Sequence, residues 1–206
     1  MNTNGTFLAE NAERIVREKW GGVYVSLDGV GEVNDAIRGQ GTYRRVVEGF
    51  QALNRVKERQ GSKLPYLGVV TTISNLSYLH LEQTVREARQ FKLSWHVINL
   101  GTYSNFAVVE KQRLFMRNSF GIEAECLEGF TNGYNEGIDA EKFERILKRV
   151  QSLDFGYPIL CEPFLNAERI EKYYTDFDSS PNDHCIRPGC GRCYQLMLLG
   201  RVRKDF

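Results

Sequence analysis

The stretch Val23-Tyr24-Val25-Ser26-Leu27-Asp28-Gly29 is short, rich in β-formers, and bounded by Gly21-Gly22 on one side and Asp28-Gly29 on the other. A run of that length and composition predicts a parallel strand over 23–27, buried on both faces. Ser26 and Asp28 then stand at its carboxyl end, and Asn34-Asp35-Ala36-Ile37-Arg38-Gly39 follows closely. Polar clusters at the carboxyl ends of parallel strands are where α/β barrels carry out chemistry. This strand tip is therefore the candidate site.

Upstream of it, Leu8, Ala12, Ile15 and Val16 recur at helical spacing over 8–19, with charges on the other face, and Gly21-Gly22 stops the helix. Downstream, Thr42 is a candidate N-cap for a helix through Val46, Val47, Phe50, Leu53 and Val56, which Gln60-Gly61-Ser62 ends. Further strands are expected at 66–73, 95–100 and 157–161, and further helices at 79–91, 105–120 and 140–153, the last capped by Asp139. A Gly/Asn-rich stretch covers 129–137, a short helix after Asn166 ends in Tyr173-Tyr174, and Ser179-Ser180-Pro181-Asn182 marks a linker. Repeated strand-helix units predict a parallel sheet. With about four strands the sheet cannot close on itself, which leaves apolar edges and one uncovered face and argues for further sequence or a partner.

Composition narrows the function classes. The 206-residue chain has a formal net charge of +1, with 42% hydrophobic and 26% charged residues, the fractions of an ordinary globular protein. Near-neutral charge gives no electrostatic footing for nucleic acid or an acidic membrane surface. No apolar run approaches the roughly 20 residues that span a bilayer, and no basic region followed by an apolar stretch opens the chain. The expectation is a cytoplasmic protein with no nucleic-acid and no membrane partner. No Ser-His-Asp order, Gly-Lys-Ser/Thr loop or His-Glu-x-x-His helix is present, so hydrolase and kinase readings have no support. Of the histidines, His80 begins a helix, His96 reads as a satisfied core residue and His184 as a solvated loop residue.

Taken in order, Thr3-Asn4-Gly5-Thr6-Phe7-Leu8, a helix, the Ser26-Leu27-Asp28-Gly29 strand end, Asn34-Asp35-Ala36-Ile37-Arg38-Gly39 and Gly41-Thr42-Tyr43 resemble the middle of the catalytic barrel of the radical S-adenosylmethionine (radical SAM) superfamily. The resemblance implies an α/β fold, a partial TIM-like (β/α) barrel over 1–160, followed by a short cysteine-rich element over 161–206. The family holds a 4Fe-4S cluster on a Cys-x3-Cys-x2-Cys loop upstream of the TNG segment, and that loop is missing from this sequence. The chain thus looks like the later part of a radical SAM protein, inactive alone. In an intact member, a reductant such as flavodoxin or ferredoxin feeds the cluster, SAM is cleaved reductively, and a 5′-deoxyadenosyl radical abstracts a substrate hydrogen, with the protein aligning the reactants. Extra-cysteine branches often act on a peptide or protein. The alternatives are a non-catalytic barrel remnant serving as a binding or accessory protein, and a small zinc-stabilised α/β protein.

By the same match Ser26, with Thr3 and Asn4, would bond the carboxylate and ribose hydroxyls of SAM; the other reading of Ser26 is a small residue chosen for strand-end packing. Arg38 is suited either to a SAM or substrate carboxylate or to an ion pair with Asp35 or Glu32. Asp28 reads as structural, accepting backbone N–H groups in the turn. Thr71, Thr72, Ser74 and Asn75 close the 66–73 strand, with Asn75 the candidate toward the ribose or an N-cap, and Val97 to Asn99 would lie beside the adenine.

Segments near 120–122, 129–130, 137–139, 161–163 and 170–174 are similar to the branch of the family whose C-terminal (SPASM-type) extension carries additional cysteines. The tail reads Cys185-Ile186-Arg187-Pro188-Gly189-Cys190-Gly191-Arg192-Cys193. Three thiolates so close together in a cytosolic chain favour a metal or iron–sulfur site over disulfides, and spacing alone leaves zinc and an auxiliary cluster both open. Cys126 or Cys161 is a candidate fourth ligand, although a lone cysteine near a strand is more often core. The Gly-x4-Cys closure of the extension falls on Asp205, counted from Gly200, so the pattern is broken there.

Overall fold

The computed structural model describes residues 1–101, 106–123, 131, 133–162 and 167–175. Its elements run β1 (Asn2–Thr3), α1 (Leu8–Arg17), β2 (Gly22–Ser26), α2 (Glu32–Arg38), α3 (Thr42–Arg59), β3 (Tyr66–Thr72), α4 (Leu81–Ala88), β4 (Trp95–Asn99), α5 (Phe106–Phe120), α6 (Ala140–Gln151), β5 (Ile159–Glu162) and α7 (Ala167–Thr175). Single 3-10 turns, Tyr78–His80 and Arg89–Phe91, flank α4. The fold is α/β, with a five-stranded parallel sheet in the order β1-β2-β3-β4-β5. One strand more than expected is present because Asn2 and Thr3 pair with Tyr24 and Val25. The register continues from Tyr24 to Gly68 to Trp95 and from Ser26 to Val70 to Val97. At the far side, His96 donates its backbone N–H to Pro158 O at 3.1 Å.

The strand 22–26 is not buried on both faces, contrary to the expectation from its apolar run. Val23, Val25 and Leu27 are fully buried whereas Tyr24 keeps 37% of its surface, the alternation of a strand with a single packed face. On that packed face Val23, Val25, Leu67 and Val69 meet Leu8, Ala12, Ile15 and Val16 of α1 and Val46, Phe50, Leu53 and Val56 of α3. Phe50 and Phe91 stack with centroids 4.4 Å apart and planes 9° from parallel. The two helices approach so closely that a Cβ on Gly49 would lie 2.7 Å from Leu8 Cβ. Helix α6 packs on α4, with its Phe143, Leu147 and Val150 buried, and Glu82 of α4 pairs with Arg149 of α6 at 3.1 Å.

By compactness the chain divides into two units, Met1–Gly101 with Tyr134–Cys161, and Thr102–Gly133 with Glu162–Phe206. The first holds almost all of the sheet and the candidate site. In the second, α5 stops at Gly121, whose φ of 65° is open to glycine and whose N–H bonds Arg117 O at 2.9 Å. The Arg117 side chain also makes two bonds to the Glu123 carboxylate, at 2.7 and 2.8 Å. In α7, Ile170, Tyr173 and Tyr174 are buried. Among the described residues no helix is long and apolar enough to cross a membrane.

Candidate site at the strand tips

At the end of β2 the chain turns through Asp28, which is only 3% exposed. One carboxylate oxygen accepts the Thr72 backbone N–H from the tip of β3 at 2.7 Å, and the other takes Arg38 Nη2 at 2.6 Å. Burial pushes the Asp28 carboxyl above its ordinary range, outweighing the Arg38 charge and the Thr72 N–H, which both favour ionisation. Asp28 is thus a structural clamp across two strands and α2. Arg38 pairs with neither Asp35 nor Glu32, contrary to both ion pairs considered from sequence, and its Nε is buried with no partner among the described residues.

The Asp35 carboxylate is committed elsewhere. Its oxygens accept Gly41 N–H at 2.7 Å and Tyr43 N–H at 2.8 Å, so it caps α3 from a neighbouring helix. Thr42, expected to be the N-cap, instead lies inside the first turn behind Gly41, the actual cap in the left-handed region, and supplies no cap bond. Its hydroxyl lies 3.1 Å from Asp35 Oδ1 and 2.6 Å from Gly39 O, and accepts Asn34 Nδ2 at 3.1 Å. Asn34, fully buried, accepts the Asp28 N–H at 3.0 Å. Burial raises the Asp35 carboxyl, but the N–H groups of Tyr43 and Gly41 with the Thr42 and Asn34 side chains outweigh it and leave it lowered.

The carboxyl end of β3 and the start of β4 share a second buried polar chain. Thr71 Oγ1 donates to Leu27 O at 2.7 Å, which uses its only proton. His96 Nε2, 2.8 Å away, must then be the donor to Thr71, and Nδ1 is left as a bare acceptor without a partner among the described residues. The core histidine is half satisfied rather than fully so, and burial lowers its pKa to about 3. Past β3, Ser77 Oγ accepts Ser74 N–H at 2.9 Å and donates to Thr72 O at 3.0 Å. Asn75 does not cap α4, whose N-cap is His80. Its N–H and Nδ2 instead hold Tyr134 O at 2.6 Å and Glu136 O at 3.2 Å.

The sheet face opposite α1 and α3 is half-exposed. Register places Tyr24, Gly68 and Trp95 in one row and Ser26, Val70 and Val97 in the next, with Thr72 and Asn99 beyond. Tyr24 and Trp95 touch at a centroid distance of 4.9 Å, and the indole lies across Gly68, where a Cβ would come within 2.0 Å of Trp95 Nε1. Above this aromatic floor the strand tips turn polar. Ser26 is half-buried, and its hydroxyl has no partner among the described residues.

Thr3 and Asn4 are less available to a ligand than their motif implies. Thr3 Oγ1 accepts Gly5 N–H at 3.1 Å, and Asn4 Oδ1 accepts Thr6 N–H at 3.1 Å and Thr6 Oγ1 at 2.8 Å. Gly5 is required there: its φ is 81°, and a Cβ would strike Val25 at 2.7 Å and Val46 at 2.8 Å. The polar turn is thus built for close packing on β2 and α3, which spacing alone does not reveal.

Sequence reasoning missed Asn34, the Asp35 cap, the Thr71–His96 pair and the Gly68–Trp95 fit. A glycine in a strand run was the only local signal for the last of these. Among the described residues no group of three His, Cys, Asp or Glu side chains is placed to hold a metal ion. Cys161 is half-buried, while Cys126, His184, Cys185, Cys190 and Cys193 lie outside the described residues. No protein-family model matches the chain, and no curated protein matches it.

Proposed function

We propose that this chain supplies the later strands of a radical SAM barrel and contributes the pocket wall for the methionyl and ribose parts of SAM. The observation that carries this reading is the sheet itself: all strands parallel, in sequential order, with α1 and α3 on one face and polar residues at the carboxyl tips of the other. Consecutive neighbours in one direction are the arrangement of a (β/α) barrel, whereas a doubly wound sheet reverses its order at a switch point. The indole filling the space above Gly68 further supports a barrel-interior role for that face, since barrel interiors are packed with side chains.

For SAM the donor set fits in part. The Ser26 hydroxyl, without a partner among the described residues, suits a carboxylate or ribose oxygen. Arg38 brings charge to the same tip while tied to Asp28. Thr3 and Asn4 accept bonds within their own turn, Asn75 holds Tyr134 O and Glu136 O, and the three act by shaping the rim. When bound, SAM would supply the reactive adenosyl group; the residues of this chain orient it and limit water around it. For the catalytic 4Fe-4S cluster the residues do not fit, because no Cys-x3-Cys-x2-Cys motif occurs in the sequence, and no step of SAM cleavage is assigned to this chain. On this reading the protein is cytoplasmic and works with a reductant such as flavodoxin or ferredoxin, and its substrate is left open, a peptide or protein being one class it could take.

Calorimetry of the chain with SAM under anaerobic conditions tests the reading. Measurable binding is expected, weakened about fivefold by Ser26→Ala, the effect of losing one hydrogen bond worth about 1 kcal/mol. An absence of binding overturns the SAM assignment, and binding unaffected by Ser26→Ala moves the contact to another residue. A second reading, a zinc-binding α/β protein without SAM, is favoured by the Cys185, Cys190 and Cys193 spacing together with the missing catalytic motif. A non-catalytic accessory role is the outcome left if neither SAM nor metal binds.

A further inference from the structure

We draw no further inference here: the strongest candidate, the half-exposed sheet face formed by Tyr24, Ser26, Val70, Trp95 and Val97, is an unpartnered surface, and nothing in the structure shows what covers it.

Discussion

Asp28 and His96 are both buried and titratable, yet they respond to pH in opposite senses. For His96 the folded pKa, about 3, lies below the ordinary 6.5. The unfolded chain therefore binds the proton first as pH falls, and stability present above the unfolded value is lost through the window from 6.5 down to about 3. For Asp28 the folded pKa is raised. The folded state holds that proton longer, so its contribution is present at low pH and is lost as pH rises through the raised value. Urea denaturation at pH 7 and pH 5 is expected to show the imidazole costing about 2 kcal/mol of stability over that interval, by linkage. Because Asp28 works against it, the informative quantity is the difference between the native protein and His96→Gln, whose pH dependence should be flatter. Parallel curves for the two would mean that His96 takes up its proton alike in the folded and unfolded chain, with no lowering by burial.

Among the elements, α3 owes its start to a carboxylate outside it. Asp35→Ala removes the acceptor for Gly41 N–H and Tyr43 N–H, and a loss of about 1 kcal/mol is expected in a denaturation midpoint, the usual cost of deleting an N-cap. The lowered Asp35 carboxyl makes that contribution present above its unfolded pKa and lost as pH falls. The Ala variant should therefore match the native protein more closely in acid than at neutral pH. Strand β3 makes a different demand. Gly68→Ala would place a methyl within 2.0 Å of the Trp95 indole, forcing the ring off the sheet at a cost of about 1–3 kcal/mol, as in overpacked cores. Trp95 emission should shift to the red as the ring moves toward solvent. Unchanged emission with unchanged stability would show that the indole does not rest on Gly68.

At the scale of the whole molecule, the central fact is the parallel sheet in the unit of Met1–Gly101 with Tyr134–Cys161, with α1 and α3 packed on one face. Parallel sheets are ordinarily covered on both faces, and here Tyr24 on β2, beside the two-residue edge strand, retains 37% exposure. The tail cysteines bear on the same scale, because a metal held by Cys185, Cys190 and Cys193 would tie the end of the chain into a folded element. Anaerobic reconstitution with iron and sulfide, in parallel with zinc, is expected to load metal onto the protein and not onto the variant with all three cysteines replaced by Ser. Broad visible absorption with stoichiometric iron supports the auxiliary cluster. Zinc alone supports the second reading, and equal metal content in the native protein and the variant removes the tail as a site.

What the sequence by itself determined is the alternation of strands and helices, since each depends on local periodicity and turn chemistry. The spacing of Leu8, Ala12, Ile15 and Val16 set α1, but the helix ends at Arg17 with Lys19 in the left-handed region and not at Gly21-Gly22, and Gly22 already belongs to β2. The Asp139 cap of α6 was legible for the same reason: its side chain accepts Lys142 N–H three residues on. The tip of β2 was legible as a polar cluster, but its pairings were not. Asp28 chose Arg38 and Thr72, while Asp35 chose the start of α3. Only the tertiary structure decided the Asp28–Thr72 bond, which the pairing of β2 with β3 brings about, while the turns flanking α2 bring Arg38 to Asp28 and the start of α3 to Asp35. For Asp28 burial makes an unpaired charge too costly to leave, and Thr72, distant in sequence but adjacent in the sheet, helps to satisfy it.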